Sequence, residues 1–233
     1  LQVGDRVLEL AAGMGELAVM TARRVGPNGF VLATDISTSM LNQAAETARE
    51  AGVSNVETRL MDPENLEVAP DSFNAALCSF ALMFFSNRAK VLIDVYRALN
   101  PAGRFAVTVW STAEKNPFHG LPLAIVGRLA KLPVPGQTGM FALSGPGVLE
   151  ECYRKAGFRD VTVHAVPVPR RFPSIAEAVS AMKDSFPRLQ TLLSKLSDAE
   201  RAQAWSEIEP QLRRLAGTDG FTAPGERAAC VCT

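Results

Sequence analysis

Segments that favour β-strands alternate with amphipathic segments through the first half of the chain. Short, mainly apolar runs at residues 7–10, 30–34 and 73–78 predict buried strands, and residues 56–60 predict another. The stretch from Ser37 to Gly52 carries apolar residues at helical spacing, with a capping hydroxyl before it and a glycine after it. Such alternation is typical of parallel strands joined by crossover helices. The pattern therefore predicts an α/β fold.

This alternation of strand and helix patterns changes near residue 110. Before it, an amphipathic helix at 88–99 and an alternating strand at 104–110 continue the pattern. After it, residues 112–143 are rich in proline and glycine, although apolar residues from 118 to 129 recur at the spacing of one helix face. The remaining periodicity predicts a helix at 147–156, a strand at 161–168, a helical insert at about 174–215 that includes the capping box Ser197–Glu200, and a last strand at 227–233.

We therefore expect a core built on one sheet, with two cap segments inserted between parts of that core along the chain. The predicted parts are a core at 1–111, a cap segment at 112–143, more of the core at 144–172, a helical cap insert at 173–225 and a last core strand at 226–233. The sheet would be seven-stranded, mostly parallel, doubly wound and Rossmann-like, with helices on both faces.

Charge narrows the choice of partner. The 233-residue chain has 24 Lys plus Arg and 24 Asp plus Glu, so its formal net charge is zero. Binding of nucleic acid usually requires a basic excess or a basic stripe, so we expect a small molecule instead. The pairs Arg170–Arg171 and Arg213–Arg214 come nearest to a stripe, and we interpret them as solvated surface. A homodimer is left open.

The cysteines indicate a compartment rather than a site. Cys78, Cys152, Cys230 and Cys232 lack the paired spacing of a zinc site, so no metal is predicted. Cys230 and Cys232 should share one face of a strand as small hydrophobic residues. This usage favours a reducing compartment, the cytoplasm. We find no signal peptide and no apolar run of the ~20 residues that a membrane helix needs. Because the chain opens on Leu1 directly before the first strand, a missing N-terminal segment is left open.

A glycine-rich turn follows the first predicted strand. Gly13 and Gly15 lack side chains, which lets the backbone approach a ligand at the start of a helix. The spacing also fits the dinucleotide fingerprint, and Asp35, about 20 residues on, would bind ribose hydroxyls in either case. The turn therefore predicts a nucleoside cofactor without saying which one.

Two further acidic residues distinguish the cofactors. Glu9 lies near the end of the first strand, where its charge would repel a pyrophosphate but would suit an ammonium group. Asp62 follows the third strand and could accept a hydrogen bond from an adenine amino group. Glu9 could also be an exposed strand-end charge, and Asp62 could be a cap. Together with Asp35, however, they place three acids at one edge of the sheet, where such folds bind ligands.

At this point the sequence resembles a known family. The segments Glu9–Gly15, Asp35–Leu41, Met61–Asp62 and Arg97–Arg104 are together similar to the class I S-adenosylmethionine (SAM)-dependent methyltransferases. The nearest branch is that of the ubiquinone and menaquinone C-methyltransferases, which methylate small molecules. The resemblance is strongest over residues 1–110 and weak over the caps.

The resemblance implies SAM as the cofactor and a role for each matching residue. Glu9 would hold the SAM amino group, Asp35 would bind the ribose hydroxyls, and Asp62 would bind the adenine amino group. Ser79 and Phe80 would lie near the transferring methyl group. The full implied set is Glu9, Ala11, Gly13, Gly15, Asp35, Ile36, Met40, Met61, Asp62, Ser79 and Phe80.

One residue departs from the family pattern. Ala11 stands where the first glycine of the loop is usual. We interpret this as a subfamily variant, in which the alanine methyl group is tolerated because the backbone keeps a negative φ. A degenerate cofactor site is the alternative.

Methyl transfer needs a general base only if the acceptor must lose a proton. His119, which follows the fifth strand, is the best candidate for that base, although a partly exposed histidine at a helix end is the favoured interpretation. Phe84 and Trp110 could line a substrate pocket, or they could be core packing. The apolar caps suggest a hydrophobic or aromatic acceptor.

Two other functions remain open at this stage. An NAD(P)-dependent oxidoreductase would share the glycine pattern and Asp35, but Glu9 and Asp62 count against it, and the chain has no Tyr-x-x-x-Lys pair. A SAM-binding partner protein without catalysis is the second alternative, because no base is certain.

Overall fold

The computed structural model describes residues 1–132, 139–217 and 220–233. The chain divides into two compact units. Unit 1 comprises Leu1–Val109, Leu143–His164 and Ala228–Thr233, and unit 2 comprises Trp110–Ala142 and Ala165–Arg227. Residues 133–138 of the predicted cap segment lie outside the described residues.

A seven-stranded sheet forms the centre of unit 1. Its strands are β1 (Arg6–Leu10), β2 (Phe30–Asp35), β3 (Val56–Leu60), β4 (Phe73–Ser79), β5 (Leu99–Trp110), β6 (Thr162–Pro167) and β10 (Glu226–Cys232). Its helices are α1 (Glu16–Val25), α2 (Thr38–Glu50), α3 (Arg88–Ala98) and α5 (Val148–Lys155), with a short 3-10 helix at Leu82–Phe84.

The strand order is β3-β2-β1-β4-β5-β10-β6. Strand β1 pairs in parallel with β2 on one side and with β4 on the other, so that Leu8 faces Leu32 and Ala76. From β1 the chain therefore adds strands on one side, β2 and β3, and then on the other, β4 and β5. This reversal creates a topological switch point, where the carboxyl end of β1 meets those of β2 and β4. The predicted Rossmann-like, mostly parallel sheet is confirmed.

Burial explains why these segments form the sheet. Val7, Leu8 and Leu10 of β1 are fully buried, as expected of a central parallel strand with helices on both faces. Small residues of α1, Ala18 and Ala22, pack into the same core. The short side chains let the helix lie close to the sheet directly after the glycine-rich turn.

Unit 2 has a helical core with a small sheet. It contains α4 (Pro117–Leu129), α6 (Ile175–Ser185), α7 (Pro187–Leu193), α8 (Asp198–Arg213), β7 (Arg170–Phe172), β8 (Ala216–Gly217) and β9 (Gly220–Ala223). The apolar face predicted on α4 is buried at Phe118, Ile125 and Val126. The predicted capping box is present, since Ser197 and Glu200 bond reciprocally at the start of α8.

Two predicted boundaries are wrong. Residues 165–172 were expected in the core part 144–172, but they belong to unit 2, where Arg170–Phe172 form β7, an antiparallel partner of β9. Strand β5 begins at Leu99 rather than at residue 104, because Leu99 pairs with Phe73 ahead of a register shift. Both errors concern short pairings whose partner is distant in sequence. No helix among the described parts of the chain has the length and apolar character to cross a membrane.

Candidate functional site

The acidic residues predicted from the sequence lie at one edge of the unit 1 sheet. Glu9 is near the carboxyl end of β1, Asp35 ends β2, and Asp62 follows β3. Ser79 ends β4, the other neighbour of β1. Parallel pairing brings these ends together, so the positions predicted from separate strands share the switch-point edge.

Asp35 connects the glycine-rich loop to the start of α2. Its Oδ2 accepts a hydrogen bond from the backbone N–H of Gly13 at 3.0 Å. Its Oδ1 accepts one from the backbone N–H of Ser37 at 2.9 Å, and Ser37 is the N-cap residue of α2. The loop is also held by the N–H of Ala12, which donates to the Thr34 carbonyl at 2.9 Å. Asp35 is therefore oriented before any ligand binds.

Ala11 does not have the backbone conformation that we expected. Its φ is +52°, in the left-handed region, whereas the sequence analysis predicted a negative φ. The conformation is unfavourable for a residue with a Cβ by roughly 1–2 kcal/mol. The cause is the turn itself, which continues through positive φ values at Gly13 and Gly15 before α1 begins. Strain of this kind persists where surrounding contacts determine the backbone, often at functional sites.

The buried carboxyl group of Glu9 is the unusual feature of this edge. Glu9 is only 2% exposed, so the interpretation of an exposed strand-end charge is wrong. Burial raises the pKa of the Glu9 carboxyl to about 8. Its Oε2 has no hydrogen-bond partner within the described part of the chain. A buried oxygen without a partner is costly, and a cationic donor from a ligand would satisfy it.

A pocket of about 480 Å³ lies beside the end of β3. It is lined by Ile36, Arg59, Leu60, Met61, Asp62, Asn65 and Glu67. Three residues of the implied cofactor set, Ile36, Met61 and Asp62, therefore line one pocket. A further residue of the implied set, Met40, lies on α2 and is 43% exposed. Ile36 is 71% exposed. Large apolar side chains left exposed beside a pocket are typical of a surface that a ligand covers.

Asp62 has a local role as well. Its Oδ1 accepts a hydrogen bond from the backbone N–H of Glu64 at 2.8 Å, so it caps the turn that follows β3. The same residue lines the pocket. The two interpretations offered by the sequence are therefore compatible, since a carboxylate has two oxygens and several acceptor positions.

Ser79 and Phe80 are fixed by the neighbouring strand β5. The Ser79 hydroxyl lies 3.1 Å from the Thr108 hydroxyl, and the Phe80 N–H donates to the Thr108 carbonyl at 2.8 Å. Phe80 also has a positive φ of +53°. Two non-glycine residues with left-handed backbone, Ala11 and Phe80, thus follow adjacent strands at this edge.

The residues proposed for the acceptor side differ in their surroundings. His119, in α4, is only 7% exposed, so it is not a partly exposed residue at a helix end. Its ring lies 4.9 Å from the ring of Trp110, and 5.2 Å and 5.1 Å from those of Phe118 and Phe186. Desolvation, reinforced by the charge of Arg170, lowers the pKa of His119 to about 4. Phe84, in unit 1, is 45% exposed and therefore is not core packing.

Sequence reasoning missed several residues of the site. The Thr34 hydroxyl donates to the Glu9 carbonyl at 2.8 Å, and Thr108 holds Ser79 and Phe80. Both are polar residues at or near the ends of buried strands, a signal that could have been used. Leu60 and Asn65 line the pocket only because of the path of the chain after β3, which no local pattern predicts.

The chain is similar in sequence to known methyltransferases. Residues 7–103 match a family model described as a methyltransferase domain. The chain is 37% identical over 128 residues to the ubiquinone/menaquinone biosynthesis C-methyltransferase of Proteus mirabilis, covering 51% of each chain. It thus spans about half the length of the curated relatives that it matches.

Solved structures share the fold. A Bacillus halodurans crystal structure superimposes with a TM-score of 0.67 at 19% identity, covering 100% of this chain and 93% of that one. A phosphoethanolamine N-methyltransferase of Haemonchus contortus, solved with S-adenosylhomocysteine, gives 0.61 at 19% identity, covering 100% and 50%.

The matched segment and the shared fold point to the same class of protein. They confirm the predicted resemblance to the class I SAM-dependent methyltransferases, whose cofactor is SAM. Among its curated relatives the chain is similar to the ubiquinone/menaquinone C-methyltransferases, as the sequence indicated. Neither alternative, the oxidoreductase or the non-catalytic partner protein, is favoured.

Proposed function

We propose that the protein transfers a methyl group from SAM to a small, hydrophobic or aromatic acceptor. The observation that carries this proposal is the buried Glu9 carboxyl group at the switch-point edge, one oxygen of which has no partner among the residues that the structure describes. The ammonium group of a methionine moiety would donate hydrogen bonds to this oxygen and pair with the ionised carboxylate, whereas a pyrophosphate carries no donor for it.

Several residues would hold the cofactor. Glu9 would accept hydrogen bonds from the amino group, and the backbone of Ala11 and Gly13 would lie against the methionine portion. Gly15, the last residue of the turn before α1, would keep the turn close to α2. Asp35, already oriented by two N–H donors, would take the ribose hydroxyls. The apolar side chains of the pocket would pack on the adenine, with Asp62 accepting from its amino group.

The loop leaves space for such a ligand. A Cβ added at Gly13 would meet no atom within 4 Å, so the backbone there faces open space. SAM supplies an electrophilic methyl group on a sulfonium, which a nucleophile displaces in line. The protein therefore has to align the two molecules and exclude water, rather than supply covalent chemistry.

Glu9 would also exchange a proton. Because its pKa is about 8, the carboxyl group is largely protonated at pH 7 in the free protein. Only the carboxylate pairs with an ammonium group, so cofactor binding would release this proton. SAM affinity would then rise with pH up to about 8.

Phe84 of unit 1, and Trp110 and His119 of unit 2, stay predictions for the acceptor side, each within its own unit. An uncharged His119 can accept a proton, but a pKa of about 4 makes it a weak base at neutral pH. We therefore propose an acceptor that is nucleophilic enough to need little assistance. The relatives named above differ in both acceptor and target atom, so the fold does not select either.

The cellular compartment, the exclusion of nucleic acid as a partner and the oligomeric state are also proposals. All four cysteines are free thiols, which supports the reducing cytoplasm as the compartment. The zero net charge supports a small-molecule acceptor rather than nucleic acid. The homodimer stays a prediction, which light scattering of the purified protein would test.

Calorimetry with SAM and with NAD tests the proposal. We expect saturable binding of SAM, none of NAD, and at least ~10-fold weaker SAM binding by Glu9→Gln, because the charge-assisted hydrogen bond is lost. Glu50→Gln, at an exposed position at the end of α2, is the matched control and should bind SAM as the wild type does. Unchanged affinity in Glu9→Gln would refute the role of Glu9. Mass detection of methylated phenols and quinols then tests the transfer itself.

A further inference from the structure

The pocket beside the end of β3 contains a polar side chain that the proposed function does not use. Asn65 lines this pocket together with Asp62. The two residues are the last and the first of a turn, which is closed by the Asn65 N–H donating to the Asp62 carbonyl at 2.9 Å. Pro63 takes the second position of the turn, where its fixed φ is favourable. Because the ends of such a turn lie within about 7 Å of each other, both side chains can contact one flat ligand.

An adenine ring needs two partners of opposite kind along one edge. Its 6-amino group donates hydrogen bonds, and the neighbouring ring nitrogen, N1, accepts one. The proposed function assigns the amino group to Asp62. An ionised carboxylate only accepts hydrogen bonds, so it cannot serve N1 as well. The pocket therefore has to provide a donor beside Asp62.

The backbone of the turn does not provide this donor. Pro63 has no N–H. The Met61 N–H donates to the carbonyl of Asp35 at 3.0 Å, and the Glu64 N–H donates to Asp62 Oδ1 at 2.8 Å. The last N–H of the turn closes it, as described above. Since successive N–H groups of an extended segment point in opposite directions, the Asp62 N–H is directed away from β2, to which the Met61 N–H donates.

The side-chain amide of Asn65 has a hydrogen left to donate. Its Nδ2 carries two hydrogens, and one of them is directed at Oε1 of Glu67 over a long 3.4 Å. Within the described ranges this nitrogen makes no other hydrogen bond to the protein. The guanidinium of Arg59, by contrast, donates twice to Glu57, at 3.2 and 2.5 Å. Asn65 can therefore bind N1 without breaking a close bond within the protein.

Contacts with α3 hold the turn in place from both sides. The Glu64 carboxylate accepts from two backbone N–H groups at the start of α3, at 2.6 and 3.1 Å. After the turn, the guanidinium of Arg97 on α3 donates to two carbonyls of the following loop, at 2.9 and 3.1 Å. A turn fixed in this way loses little conformational entropy when a ligand binds, so a hydrogen bond from Asn65 contributes more of its strength to affinity.

From this arrangement we propose that Asn65 is a specificity-determining residue of the cofactor site. Its amide donates to N1 of the adenine ring, while Asp62 accepts from the 6-amino group. Together the two side chains recognise both polar groups of that edge. A hypoxanthine ring is disfavoured, because it would turn its 6-oxygen towards the Asp62 carboxylate. The assignment rests on the proposed function, since it needs the adenine of SAM in this pocket.

The test compares S-adenosylhomocysteine with its 1-deaza analogue, in which a C–H group replaces N1. Calorimetry on the purified protein at pH 7.5 measures both affinities. We expect the wild type to bind the parent compound at least ~5-fold more tightly, because the analogue leaves the Asn65 donor unpaired. Asn65→Asp keeps the shape of the side chain but replaces the donor with an acceptor, so the ratio of affinities should fall to about 1 or below.

Two controls separate recognition of N1 from a structural effect. Asn28→Asp makes the same change of charge in the exposed turn before β2, at the opposite end of that strand from the pocket, and should keep the wild-type ratio. The 3-deaza analogue lacks a ring nitrogen that Asn65 does not contact. Its affinity relative to the parent compound should be the same in wild type and Asn65→Asp. A merely structural effect would weaken all three ligands alike and leave both ratios unchanged.

The failures of the two proposals are distinguishable. Equal affinities of the wild type for the parent compound and the 1-deaza analogue would overturn the role of Asn65. A preference that persists in Asn65→Asp would do the same, and would assign N1 to the Asp62 N–H instead. In both cases S-adenosylhomocysteine still binds, so the proposed function stands. Absence of S-adenosylhomocysteine binding in the wild type would overturn the proposed function itself, and the assignment of Asn65 with it.

Discussion

At the scale of single residues, the two glycines of the cofactor loop serve different purposes. A Cβ at Gly15 would lie 2.8 Å from both the Cα and the Cβ of Ala44, so its absence lets α1 and α2 approach each other. At Gly13 the same Cβ would meet nothing within 4 Å. Gly15 therefore belongs to the packing of the fold, and Gly13 remains free to face a ligand.

This difference predicts unequal costs for the two alanine substitutions. Gly15→Ala should lower the free energy of unfolding by about 2–5 kcal/mol, because backbone strain at a φ of +85° adds to the clash with Ala44. Gly13→Ala should cost only about 1–2 kcal/mol, from strain alone. Urea denaturation of both variants measures the difference. Equal losses would show that Ala44 moves aside and that Gly15 is not needed for packing.

Ala11 illustrates a limit of residue-level reasoning. The sequence shows correctly that an alanine replaces the usual glycine, but not that the backbone there is left-handed. The conformation depends on the whole turn and on Asp35, which holds Gly13 from the end of another strand. Conversely, Glu9 and Asp35 could be found because strand ends are visible in the hydrophobic pattern.

At the scale of elements, Asn116 connects the start of α4 to the first residue of β10, Glu226. It is 1% exposed. Its side-chain Nδ2 donates to the carbonyls of Thr112 and Glu226, each at 2.9 Å, and its Oδ1 accepts from the Glu226 N–H at 3.0 Å. One amide thus satisfies backbone groups of Glu226, 110 residues away in sequence, as well as one of nearby Thr112.

Removing this amide should destabilise unit 2. Asn116→Ala would leave the partly buried Thr112 carbonyl and Glu226 N–H without their side-chain partner, although the Glu226 carbonyl keeps the Ser111 N–H, at a cost of about 1–3 kcal/mol in the free energy of unfolding. Asn28→Ala, in an exposed turn between α1 and β2, should change stability by less than about 0.5 kcal/mol. Urea denaturation followed by circular dichroism measures both. A small loss at Asn116 would mean that water replaces the amide.

Elements also differ in how well sequence predicted them. The helices of unit 1 and the strands up to β4 were found within about two residues, because hydrophobic periodicity is a local property. The strands β7, β8 and β9 were missed. They contain two to four residues each, too few to show a period, and they exist only because they pair with one another.

At the scale of the whole molecule, two buried groups give stability a characteristic pH dependence. The Glu9 pKa rises on folding from 4.5 to about 8, so between these values the folded state holds a proton that the unfolded state has lost. Stability from this group therefore falls as pH rises from about 4.5 to about 8. The His119 pKa falls on folding from 6.5 to about 4, so its effect is a rise in stability between those values.

Below pH 6.5 the effects of Glu9 and His119 on stability oppose each other, and above pH 6.5 only the effect of Glu9 remains. Between pH 6.5 and 8 we expect the free energy of unfolding of the wild type to fall, and that of Glu9→Gln to stay nearly level, because the amide does not titrate. Denaturation curves at half-unit pH steps measure both, with Glu50→Gln expected to follow the wild type. A wild-type curve that is flat over this range would show that the Glu9 carboxyl is not protonated in the folded protein.

The sequence by itself determined the parts of this protein that depend on neighbours along the chain. These are the alternation of strands and helices, the glycine turn after the first strand, and the acids at three strand ends, from which the fold class and the cofactor followed. Hydrophobic periodicity and the conformational freedom of glycine are properties of a short segment, so a short segment reveals them.

Only the tertiary structure decided the burial of Glu9, the left-handed backbone of Ala11, the enclosure of His119 by aromatic rings and the position of Arg170 over Trp110. Each of these depends on groups that folding brings together from distant parts of the chain. Desolvation, backbone strain and the pairing of charges act through space, and a linear pattern does not contain the distances that set their size.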